Sequence, residues 1–208
     1  MTCKIGFTLI CLLLFQGLSA QKKVIKNIDA FGIGFLEVMA DKVFDIGIIA
    51  VKSSTITITT WTEGEHNEQL LITANGQGDK MTIGCEYQPE FRNFNDKLSA
   101  HKIISVKMKL EVPENLVLYL SSEIANARIQ GKFKMLTAEL KSGFCILKDF
   151  YGNAIANTYN GDIVMETNFA SVVAETKNGK LLLDAIVPGP HNIELKSVNG
   201  SITVTKTQ

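Results

Sequence analysis

The sequence is poor in the residues that usually announce chemistry. It contains three histidines, four cysteines, four prolines and one tryptophan in 208 residues, and its 21 basic side chains are matched by 21 acidic ones. A balanced charge with no basic run in sequence argues against nucleic acid as a partner, because phosphate binding needs concentrated cations. His66, His101 and His191 stand far apart without metal-ligand spacing. There is no phosphate loop, nucleophile elbow or zinc-binding helix motif. No catalytic residue, cofactor or metal is therefore implied. No amphipathic helical period runs through the chain. No apolar run reaches the roughly 20 residues that a membrane helix needs.

The N-terminus reads as a secretory signal over residues 1–20. Lys4 supplies a thin positive region, Ile5 to Phe15 an apolar run, and Leu18-Ser19-Ala20 a cleavage site before Gln21. Cys11 follows Ile10 rather than a small residue, which disfavours a lipoprotein site. Export would place the mature chain at the cell surface, on the outer membrane or in the periplasm. Two cysteines survive processing, Cys85 and Cys145. Both fall in apolar alternations and are expected as free, buried thiols rather than a bridge or a metal site.

What the chain does have is a repeat. Gly143, Gly161 and Gly179 recur every 18 residues, and Gly200 follows after 21. Two and four positions after each glycine stand Cys145/Leu147, Ile163/Met165, Leu181/Leu183 and Ile202/Val204. Seven, five and three positions before it stand Leu136/Ala138/Leu140, Ala154/Ala156/Thr158, Val172/Ala174/Thr176 and Ile193/Leu195/Ser197. Alternation on both sides of the glycine makes each unit two short strands joined at a bend, with these positions inward. The bends read Ser142-Gly143, Asn160-Gly161, Asn178-Gly179 and Asn199-Gly200, suited to the positive φ of a sharp turn. A degenerate earlier unit carries Ala125 at the anchor, making five coils. The three extra residues of the last spacing coincide with Pro188-Gly189-Pro190, expected to bulge without breaking the stack.

The pattern predicts an all-β chain: a single-chain β-solenoid of roughly 18-residue coils over 113–208, preceded by less regular β-hairpins over 21–112, the whole continuous as one domain. Thr55 to Trp61 alternates cleanly. Gln69–Thr73 and Lys80–Cys85 are read as a hairpin turning through Asn75-Gly76-Gln77-Gly78. Tyr87 to Ala100 is read as a long irregular loop, and Ile103 to Val112 as a further strand.

These features resemble the putative-adhesin family of secreted bacterial envelope β-solenoid domains of unknown function. The resemblance is carried by Glu111-Val112-Pro113, Leu140-Lys141-Ser142-Gly143, Thr158-Tyr159-Asn160-Gly161-Asp162-Ile163 and Thr176-Lys177-Asn178-Gly179-Lys180-Leu181. It implies a β-solenoid at the cell surface or in the periplasm, and brings no catalytic residues with it.

Two rows of residues are candidates for binding. Phe133, Tyr151, Phe169 and Val187 lie eight positions after successive anchors, and either form an aromatic ladder for stacking on sugars or fill a corner of the core. Ile146, Val164 and Leu182 lie three positions after their anchors and should face outward, bounded by Arg128 and Thr203. Such a stripe wants a cover, either the N-terminal hairpins or the long loop of the same chain, or a protein partner, homotypic or from the envelope. The last coil, Ser201 to Thr205, should present a free edge for end-to-end association. Glu166 and Asp184, with Lys148 in the same column, are the candidates for glycan cleavage, although such stacked charges are far more often cross-strand pairs than catalytic groups. Glu63, Glu65 and Glu68 could attract calcium.

The functional expectation is a non-enzymatic, adhesin-like binding or structural module that contacts a glycan or an envelope or host protein. The alternatives are a periplasmic scaffold or envelope-stress component binding another bacterial protein and, more remotely, a polysaccharide-cleaving enzyme.

Overall fold

The computed structural model describes residues 22–64, 70–87 and 105–207. The signal segment, Glu65, His66, Glu68, His101 and most of the 87–100 loop lie outside these residues. The described chain is all-β: β1 (Lys22–Asp29), β2 (Phe35–Met39), β3 (Asp45–Val51), β4 (Thr55–Glu63), β5 (Leu70–Gln77), β6 (Lys80–Tyr87), β7 (Ser105–Pro113), β8 (Val117–Ser122), β9 (Asn126–Ser142), β10 (Cys145–Asn160), β11 (Ile163–Thr167), β12 (Ala170–Thr176), β13 (Leu181–Leu183), β14 (His191–Ser197) and β15 (Ile202–Lys206). Among the described residues no helix is long and apolar enough to cross a membrane.

All fifteen strands belong to one mixed sheet. One run reads β1-β4-β7-β3-β9-β10-β11-β15-β13. A second reads β5-β6-β2-β8-β9-β10-β14-β12. The long strands β9 and β10 join the runs, each giving its first half to one and its second half to the other. The bend within β9 falls at Gly131 (φ 105°), and that within β10 at Asp149 (φ 45°) and Gly152 (φ 141°). Among the described residues no other strand joins the runs, so the sheet they form does not close on itself.

The 18-residue period is expressed as parallel register. Leu118 lies beside Leu136 and Leu136 beside Ala154, while Ala127 lies beside Cys145 and Cys145 beside Ile163. Residues expected inward are buried in these rows, and burial of one such leucine is worth about 1.5–3 kcal/mol. The core they form lies between the two runs and extends through Leu36, Val38, Ile46 and Ile48 of β2 and β3.

The stacking order departs from the chain order. Ile163 of β11 pairs with Ile202 of β15, and Ile202 with Leu181 of β13. On the other run Ala154 pairs with Ile193, and Ile193 with Val172. The unit around Gly200 is thus inserted between the units of Gly161 and Gly179. The free edge expected at Ser201–Thr205 is instead at β12 and β13. Residues 184–190 return the chain by one row, which accounts for the longer last spacing. Leu181 and Leu183, expected inward, are 45% and 50% exposed because no further row covers them, whereas Ile202 and Val204 are buried.

The glycines are needed for a reason other than the one expected. Of the four anchors only Gly143 has positive φ. Instead, a Cβ on Gly143 would strike the carbonyl of Ala125, one on Gly161 that of Gly143, one on Gly200 that of Gly161, and one on Gly179 that of Gly200. Close approach of successive backbones excludes any side chain. Side chains repeat the order: Asn199 donates to Asn160 and Asn178 donates to Asn199, both at 2.7 Å.

The N-terminal strands extend the sheet. β2 and β3 lie beside β8 and β9 in parallel, with Leu36 against Leu118 and Ile46 against Ala127. β1, β4 and β5 add antiparallel strands at the far end. The β5–β6 hairpin turns at Gly78-Asp79, with Gly78 at φ 63°, two residues later than the sequence suggested.

Candidate functional site

Outward residues of the first run form lateral rows, since neighbours in register stand about 4.8 Å apart. One row reads Thr59, Lys109, Gly47, Arg128, Ile146, Val164, Thr203 and Leu182. The predicted apolar stripe is present, but Thr203 interrupts it between Val164 and Leu182. The N-terminal strands do not cover it among the described residues: β1, β3 and β4 continue the same run, and β2, β5 and β6 belong to the other. Ile146 is half-buried by its neighbours, Val164 is 37% exposed and Leu182 60%.

At its N-terminal side this row enters a groove of about 420 Å³. Gly47 leaves the floor open, as nothing lies within 4 Å of where its Cβ would stand. Trp61, Lys107, Lys109, Arg128 and Lys148 line the walls, with Asp45 and Gln130 the polar acceptors. Asp45 holds two cations: its carboxylate accepts from Arg128 and, at 3.1 Å, from Lys107. Lys109 is paired with Glu111 at 2.7 Å. Lys148 has no ion-pair partner among the described residues. Lys23 stands 5.7 Å from the centre of the Trp61 ring, and Arg128 lies 4.8 Å from that of Phe144. Sequence reading saw no basic patch because these cations come from β7, β9 and β10, and only lateral pairing collects them.

The aromatic ladder is not formed as expected. Phe133 is buried and stacks on Phe150 with centroids 5.9 Å apart, since the register shift between Lys148 and Tyr151 turns Phe150 inward. Tyr151 faces out, 44% exposed, edge-on to His191 at 4.3 Å. Phe169 is 52% exposed on a corner at φ 56°. Thus Tyr151 and Phe169 are surface aromatics, separate from the groove.

Glu166 and Asp184 are not neighbours. Glu166 pairs with Thr205, and Asp184 lies beyond it, accepting from the Lys206 backbone at 3.3 Å. On the second run Glu37 accepts from Thr82 at 2.8 Å and pairs with Lys80 at 2.9 Å. These two contacts hold its carboxyl below the usual range. Cys85 and Cys145 are free and buried, and burial pushes each thiol up to about 12.

No protein-family model matches the chain, and no curated protein matches it. Solved structures do. A putative cell adhesion protein from Clostridium sporogenes aligns with a TM-score of 0.64 over 90% of this chain and 100% of its own, at 15% identity. A putative adhesin from Bacteroides fragilis gives 0.41 over 88% and 97%, at 13% identity. A putative lipid binding protein from Parabacteroides distasonis gives 0.35 over 90% and 97%, at 12% identity. At such identity the first likeness is one of fold.

Proposed function

We propose that this chain is a non-enzymatic binding module of the bacterial envelope. It is exported by its 1–20 signal, and residues 113–208 stack as β-solenoid coils continuous with 21–112 in one domain. The single observation that carries the reading is the outer face left uncovered by the described residues, where Ile146 and Val164 continue the row that enters the groove over Gly47. An apolar strip meeting a largely apolar groove rimmed by charged side chains on a rigid sheet suits a ligand surface. The fold shared with a putative cell adhesion protein supports the same reading.

The test is cosedimentation of the purified protein with cell envelopes and isolated wall polysaccharide, beside a Val164→Lys variant of unchanged melting temperature. Retention of the parent and loss of the variant is expected; equal retention of both, or of neither, overturns the reading. Protease shaving of intact cells then separates a surface location from a periplasmic one.

A second reading, a scaffold for another envelope protein or a second copy, is favoured by one observation. The β12–β13 edge exposes Val173, Leu181, Leu182 and Leu183 on strands that each have one neighbour. A stoichiometric partner released by Leu182→Lys would support it.

A further inference from the structure

We propose that the groove over Gly47 binds an acidic glycan, a chain of uronate-type sugars lying across the strands. The proposal rests on the outer face being the binding surface and names its ligand class.

The argument begins with charge. The chain as a whole is neutral, yet Lys107, Lys109, Arg128 and Lys148 face the groove against Asp45 in its lining and Glu111 beside Lys109, an excess of two positive charges. Such a local excess attracts polyanions. These cations come from β7, β9 and β10, so a ligand running across the strands meets them in succession. One sugar ring is comparable in length to the roughly 4.8 Å between strands, and Lys109 and Arg128 stand two strands apart with Gly47 between them, so carboxylates on alternate sugars can meet the two cations. Arg128 suits a carboxylate because its planar fork binds both oxygens.

The remaining wall residues separate a glycan from other polyanions. Trp61, the only tryptophan, is flanked in register by Lys23 and Lys107, placing an aromatic face beside two cations. A sugar ring packs its C–H face on such a ring while its carboxylate reaches the ammonium groups. Asp45 and Gln130 offer acceptors to sugar hydroxyls. A phosphodiester backbone has few hydroxyls to give to Asp45 and Gln130. Binding of single strands also uses several stacking aromatics, where this groove presents one. The missing side chain of Gly47 admits the ligand to the sheet backbone.

Trp61 reports on the groove directly. Its fluorescence is titrated with oligogalacturonate, with the fully methyl-esterified oligomer and with a single-stranded DNA oligonucleotide of equal charge. Lys148→Glu is the variant, since this exposed side chain supports no ion pair among the described residues. Oligogalacturonate should shift the emission, bind at least tenfold more tightly than the ester, weaken as salt rises, and lose about tenfold in affinity in Lys148→Glu at unchanged melting temperature. Equal binding of acid and ester, equal or tighter binding of DNA, or no effect of Lys148→Glu overturns the proposal. If oligogalacturonate fails while Val164→Lys still abolishes envelope retention, the ligand class is wrong and the binding face stands; if both fail, both are wrong.

Discussion

Gly200 sits against Gly161, 39 positions earlier in sequence, so closely that a Cβ on Gly200 would land on the Gly161 carbonyl. Contacts of this kind decide which unit touches which, and they make the glycines intolerant of any side chain. Gly200→Ala is expected to cost about 2–3 kcal/mol, as overpacking against backbone does. Gly47→Ala, with open space above it, should change stability by less than about 0.5 kcal/mol. Urea unfolding midpoints compare the two.

The inserted row can be tested by cross-linking. Glu166 and Thr205 are register partners on β11 and β15 at about the spacing that a disulfide bridges. Cysteines at these positions should oxidise to a bridge, whereas cysteines at Glu166 and Asp184 should not. A stack in chain order gives the reverse result. Peptide mapping without reduction distinguishes them.

Truncation should also behave unusually. Among the described residues β12 pairs only with β14 and β13 only with β15. Ending the chain after Pro190 therefore removes the sole neighbour of both. Residues 170–183 should become protease-sensitive, although they precede the deletion. Limited proteolysis followed by mass spectrometry gives the answer, and a protected 170–183 contradicts the inserted order.

The buried thiols set an alkaline limit. Each is raised to about 12, so above the ordinary value of 9.0 the unfolded chain loses protons that the folded chain keeps. Folded stability is then fully present below pH 9 and falls towards pH 12, by about 1.4 kcal/mol per thiol per pH unit. Cys145→Ala, which matches Ala127 in the next row, should make this fall shallower. Neither thiol should react with a disulfide reagent at pH 8 until the protein is unfolded.

Much of the strand pattern was legible because alternation is local. The inward positions of the units around Gly143, Gly161 and Gly200 are buried as expected. The turn of the β5–β6 hairpin was misplaced because Asn75-Gly76 resembles a turn but lies within the strand, and Gly78-Asp79 forms the turn instead. The aromatic corner was misread because Asp149 and Gly152 shift the register and exchange Tyr151 for Phe150. Of the site, Ile146 and Val164 were found by counting from the glycines. Arg128 was named as the bound of their row and Lys148 as part of a charged column, but their gathering with Lys107 and Lys109 in one groove was missed, since no local signal links these residues.

By itself the sequence determined that the described chain is all-β, which residues alternate toward the core, and that repeat units stack in register through glycine bends. Tertiary structure alone decided the order of the units and the composition of the groove. The reason is that every unit presents the same apolar period and the same glycine, so each can pack on any other without changing its own pattern. Which strands become lateral neighbours depends on contacts across the sheet, and the same contacts gather charges scattered along a neutral chain into one face.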